Sequence, residues 1–258
     1  MTPDIFYLLE KHFYLFLLIF FRILFLFMIF PVFAATFFPT KVKLALSLVL
    51  ALSLTPYLSH HLIISMNPFE LIYYMISDFF LMFIIALFLR FILGGLQLGG
   101  ELVGLQMGFG LSQTFDPSSG VSMPVIAQFL YFIFLLLFFT LDIHHFLLYF
   151  LVKSFYELPP GVLLKEENIF KFLIKKSHLV FDIAVKILAP LMVFMLLINI
   201  VLAIIGRLLP QINVLFVSFP LTLGLGLFFF GIMLFLVPRI FNQYFNQFNQ
   251  FLFQILKY

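Results

Sequence analysis

Residues 69–110 read FELIYYMISDFFLMFIIALFLRFILGGLQLGGELVGLQMGFG: an apolar run to Leu93, then a glycine-rich continuation without proline and with one charge, Glu101. A helix over all 42 residues would be about 63 Å long at roughly 1.5 Å per residue. That is about twice the hydrocarbon thickness of a bilayer. Either the helix breaks at Gly94-Gly95 or Gly99-Gly100, or it reaches well beyond the membrane.

The rest of the 258-residue chain has the same character. Apolar residues make up 64%, charged residues 10%, and the mean hydropathy is +1.22. Soluble domains average about 45–50% apolar and roughly 25% charged residues, so this chain cannot cover a water-facing surface. Soluble globular folding and disorder are excluded, leaving an all-α polytopic membrane protein. With no cysteine, disulfides, thiolate metal sites and Cys nucleophiles are excluded too. The 42 phenylalanines serve as bulk, and tryptophan is absent.

Five further apolar runs flank the first: His12–Phe33, interrupted by Arg22, Val42–Leu58, Val125–Phe150, Val180–Ile205 and Val214–Val237. Each approaches the roughly 17–25 residues that span a bilayer. The first is too long for the core of a cleavable signal peptide. The fourth can continue to Glu157, before Pro159-Pro160-Gly161. Six crossings place the termini and the second and fourth loops on one side. That side carries eight Lys and Arg residues against four on the other, counting Arg90 and Arg207 with the four. The positive-inside rule then puts both termini in the cytoplasm. The net charge of +3 is read as topology, with membrane lipid and not nucleic acid as the partner.

Gly95 and Gly99, then Gly100, Gly104 and Gly108, recur at four-residue spacing. Small residues so placed let helix backbones approach closely, within the chain or between subunits. Between two apolar segments lies Gln113-Thr-Phe-Asp-Pro-Ser-Ser-Gly-Val-Ser-Met-Pro124, rich in turn and helix-start signals. Ser122 can cap the next helix, with Pro124 in its first turn. This segment is a surface connection, or irregular backbone lining a water-filled cavity. Arg22, Asp78, Glu101 and Arg207 are ionisable groups within apolar runs, which make them functional candidates. Asp182 and Lys186 stand four apart on one helix and can neutralise each other. Asp142, His144 and His145 suggest a metal, but neighbouring helical histidines point about 100° apart, and polar anchoring is the expected role. No cofactor motif, P-loop or nucleophile elbow occurs. The tail from Phe241 alternates aromatic and Asn/Gln positions at helical spacing. It reads as an amphipathic helix at the membrane interface or docked on a partner helix.

Several stretches together resemble one family. They are Gly104-Leu-Gln-Met107-Gly108 leading to Asp116-Pro117-Ser-Ser-Gly120, then Pro124-Val-Ile-Ala-Gln128-Phe129, His144-His145, Ser154-Phe155 and Pro160-Gly161. Arg207-Leu-Leu-Pro210-Gln211-Ile-Asn213, Phe219-Pro220-Leu221, and the early Arg22 with Pro31-Val-Phe33 complete the set. The chain thereby resembles the FliR family of the flagellar type III export gate. The resemblance implies a non-enzymatic subunit without cofactor in the bacterial inner membrane and flagellar basal body. Its implied partners are FliP and FliQ, with FlhB and FlhA alongside, and its cargo unfolded flagellar subunits. It further implies a FliP-like part over residues 1–178 and a FliQ-like part over 179–258. Within these, a pore loop of about 110–120 would contain Gly110, Phe115, Asp116, Pro117 and Gly120. Thr222 departs from the family, which often has lysine there. The rival reading is a secondary transporter or proton channel relaying through Arg22, Asp78, Glu101, Asp142 and Asp182. It would show two matching halves, whereas the glycine-rich element lies only in the first half.

Overall fold

Leu15, Leu18, Ile19, Arg22, Ile23, Leu26 and Phe30 form one stripe in which each residue has another three or four positions away, and all are buried. That stripe is the inner face of α1 (Ile5–Ile29), continued by the single turn of α2 (Pro31–Ala34). The computed structural model describes residues 5–34, 38–59, 67–109, 124–158, 167–211 and 213–256. Further along the chain come α3 (Thr40–Ser59), α4 (Pro68–Gln106), α5 (Val125–Thr140), α6 (Ile143–Glu157), α7 (Glu167–Lys176), α8 (Leu179–Leu208), α9 (Val214–Met233) and α10 (Val237–Ile255). No strand occurs among the described residues.

Two compact units arise from interleaved segments: 1–90 with 143–176 and 248–258, and 91–142 with 177–247. In the first, α1 packs along α3, and Phe33 of α2 folds back on Phe27 with ring centroids 5.1 Å apart. Arg90 Nη2 donates to the Ile29 carbonyl at 3.3 Å, satisfying one acceptor that the end of α1 leaves open. In the second, α8 and α9 form an antiparallel hairpin beside the glycine-rich end of α4 and the start of α5.

The helix α4 runs unbroken for 39 residues, about 58 Å by helical rise. Neither glycine pair breaks it. Five glycines inside the helix cost roughly 0.5–1 kcal/mol each relative to alanine, but close packing of neighbours at four of them compensates, as the site geometry shows. The fourth apolar run does continue to Glu157, yet it is interrupted after Thr140. Asp142 takes a φ of 55°, the left-handed region that aspartate tolerates better than most residues. Pro124 occupies the N-cap of α5 rather than its first turn, and among the described residues no side chain caps this end. Ser122 lies outside the described residues.

The tail is the clearest departure from expectation. Phe241, Phe245, Phe248, Phe251, Leu252 and Ile255 of α10 are all buried, against this chain's own helices rather than at an interface or on another protein. Within the second unit, Phe241 and Phe245 meet Phe134 at centroid distances of 5.9 and 5.8 Å. Within the first, Phe251 stacks on Phe88 at 4.8 Å and Phe248 lies 6.4 Å from Phe30. The aromatic stripe is internal core, and the Asn/Gln face is left outside.

Large apolar side chains also cover much of the exterior, among them Phe69 at 86% and Phe216 at 77% exposure. Water would not tolerate that surface, whereas lipid does. Among the described residues, five helices contain segments long and apolar enough to cross a bilayer, and α5 with α6 supplies a sixth if taken as one interrupted span. The chain is a polytopic, all-helical membrane protein.

Candidate functional site

The first unit holds a buried ionic cluster drawn from three helices. Arg22 of α1 is 1% exposed and Asp78 of α4 is 2% exposed, and Arg22 Nη2 pairs with Asp78 Oδ1. Arg22 Nη1 donates to Ser154 Oγ of α6 at 3.2 Å. Ser154 in turn donates to the Leu151 carbonyl at 2.7 Å. The guanidinium carbon stands 4.2 Å from the ring centroid of Phe155, a cation–π distance. Arg22 Nε and Asp78 Oδ2 find no hydrogen-bond partner among the described residues.

Charge burial is costly unless the charge is paired, and here each charge neutralises the other. The cluster can hold α1, α4 and α6 in one register. It suits a proton relay poorly, because a relay needs a group free to change charge. Arg22 and Asp78 were each recognisable in the sequence as charges in apolar runs. Their pairing across 56 positions was not, nor were the roles of Ser154 and Phe155.

The second unit explains the glycines. A Cβ on Gly95 would lie 2.6 Å from the Val180 carbonyl oxygen, and one on Gly99 would strike Leu188 of α8. A Cβ on Gly100 would lie 2.7 Å from Ala127 Cα, and one on Gly104 would be 2.9 Å from Pro124 Cβ. Gly95 and Gly99 therefore seat α8, while Gly100 and Gly104 seat the start of α5. Of the two readings open in the sequence, contact within the chain is the one seen at these positions.

The end of α4 is fastened by one face of α9. Met107 is fully buried, and its side chain fills the notch at Gly226, where an added Cβ would come within 2.7 Å. Gly108 takes a φ of 93° beneath the Phe219 ring, a conformation that glycine adopts without a Cβ penalty. Thr222 Oγ1 lies 3.4 Å from the Met107 carbonyl and 2.9 Å from that of Ser218. Phe219, Thr222 and Gly226 share a helix face by their three- and four-residue spacing. Thr222 thus serves as a small, buried contact.

The remaining candidates are dispersed. Glu101 is half-buried on α4. Arg207 is exposed in the last turn of α8, where a cation favours the helix dipole. Lys186 Nζ and Asp182 Oδ2 form the expected pair at 2.8 Å. The His144 and His145 rings have centroids 4.1 Å apart, nearer than their successive helical directions alone suggest. The proposed pore-loop residues Gly110, Phe115, Asp116, Pro117 and Gly120 lie outside the described residues.

Comparison with known proteins matches residues 13–248 to the bacterial export proteins, family 1. The flagellar biosynthetic protein FliR of Pectobacterium carotovorum subsp. carotovorum is 31% identical over 240 residues, covering 92% of this chain and 90% of the relative. FliR of Aquifex aeolicus is 30% identical, covering 94% and 92%. FliR of Escherichia coli K12 is 28% identical, covering 84% of each. A match of such extent leaves no large part of the chain outside the shared family. The chain belongs to the bacterial export proteins, family 1, the family of the flagellar biosynthetic protein FliR, and is a component of the flagellar export apparatus.

Proposed function

We propose that this protein is a non-enzymatic subunit of the flagellar type III export gate in the bacterial inner membrane. It assembles with FliP and FliQ, beside FlhB and FlhA, and completes a channel through which unfolded flagellar subunits leave the cell. Residues 1–178 act as the FliP-like part and 179–258 as the FliQ-like part, within the flagellar basal body. The segment 110–120 serves as a plug, displaced when cargo passes. The observation that carries this reading is the family match over residues 13–248 of a chain built from membrane-length helices.

The fastening of α4 by Met107, Gly108 and Thr222 supports the plug assignment, because it gives the segment that follows a fixed point of departure. Neutralisation of Arg22 by Asp78 weighs against the transporter alternative. Removing the gene is expected to abolish swimming and flagellin secretion. Purification in mild detergent is expected to give a heteromeric particle containing FliP and FliQ. A monomer or homodimer that carries a small solute would overturn the reading. Deleting Thr114 to Ser119 is expected to raise ion leak through the assembled gate, and unchanged leak in an intact complex would remove the plug.

A further inference from the structure

The α8–α9 hairpin carries an apolar groove of about 350 Å³. Pro190, Phe194 and Leu197 line it from α8, and Phe229, Ile232 and Leu236 from α9 and the turn after it. Phe194 and Phe229 close its floor with ring centroids 3.6 Å apart. Leu197, Ile232 and Leu236 on the rim are each about half exposed, so the groove opens outward. Both helices contain membrane-length apolar segments, and an outward opening there meets hydrocarbon chains.

Charge distinguishes one end. Lys186 stands four residues before Pro190, one turn away on the same face of α8. Arg239 follows Leu236 by three residues, in the first turn of α10. The antiparallel register that sets Phe194 on Phe229 carries Lys186 to the level of the first turn of α10. Both cations are exposed. Asp182 takes one donor of Lys186, and an ammonium has three. With the Asp182 carboxylate beside Lys186, that end of the greasy slot carries two cations against one anion, a net positive charge that matches a molecule apolar along its length and anionic at its head.

We propose that this groove binds an anionic phospholipid, one acyl chain lying along Phe194 and Phe229 and the phosphate held by Lys186 and Arg239. The site follows from the membrane setting of the hairpin and does not depend on the export role, so either can fail without the other. The test is native mass spectrometry of the full-length protein in detergent, titrated with dioleoyl phosphatidylglycerol or dioleoyl phosphatidylcholine. The wild type is expected to retain the phosphatidylglycerol with roughly fivefold preference, the scale of one net positive charge near an anionic headgroup. Lys186→Gln with Arg239→Gln should erase the preference, while Lys186→Arg with Arg239→Lys should keep it. Leu197→Trp, which obstructs the groove, should reduce retention of both lipids. These cations are exposed and their replacement leaves the packed core untouched, so the charge variants report on binding rather than folding. Equal retention of the two lipids, or a preference that survives the glutamine variant, would overturn the proposal. So would cross-linking of Val193→Cys to a neighbouring subunit's helix seated in the groove.

Discussion

Arg22 and Asp78 show how much one side chain can depend on another. Losing a single partner from a buried ion pair leaves an uncompensated charge, and such losses cost about 3–5 kcal/mol. Arg22→Met or Asp78→Leu alone should therefore lower stability by about that amount in detergent unfolding. The double variant should recover most of it, since removing both charges also removes their desolvation cost. Equal destabilisation by the single and double variants would show that the pair is not what holds this part of the unit. A second contrast sits among the glycines. Gly94 has open space where a Cβ would stand, so Gly94→Ala should stabilise α4 by up to about 1 kcal/mol. Gly100→Ala drives a methyl into Ala127 and should cost about 1–3 kcal/mol. Thermal unfolding of the two variants, read side by side, checks the sign at each position.

At the scale of elements, α10 carries the same lesson in its pattern. Its aromatic face is core in both units, and truncating a buried Phe to Ala typically costs about 3–5 kcal/mol. Phe245→Ala and Phe248→Ala should each destabilise the protein by that order, while Asn246→Ala on the exposed face should be near neutral. Thermal unfolding with intrinsic tyrosine fluorescence checks this, and a destabilised Asn246→Ala beside a silent Phe248→Ala would reverse the assigned faces. The amphipathic period was plain in the sequence, with its register. The surface that it meets was not, because lipid, a partner and the chain's own core all accept the same apolar stripe. The long α4 was likewise visible, whereas its continuity depended on α8 and α5 filling the space that its glycines leave.

For the whole molecule, the charge asymmetry of eight Lys and Arg against four predicts both termini in the cytoplasm. Reporter fusions at the two ends should both be active on the cytoplasmic side, and opposite locations would exclude an even number of crossings. Hydropathy alone determined the membrane class and the apolar runs, because lipid imposes length and polarity on any segment that crosses it. The ordered motifs gave the family resemblance, since such short marks persist where the surrounding apolar residues interchange freely. The sequence also marked Arg22, Asp78 and the glycines as unusual, each being costly at its position. Only tertiary packing decided that Arg22 faces Asp78, that the glycines seat α8 and α5, and that the tail folds inward. Those outcomes depend on which distant segments meet, and apolar surfaces that all bury equally well carry no local sign of their partner.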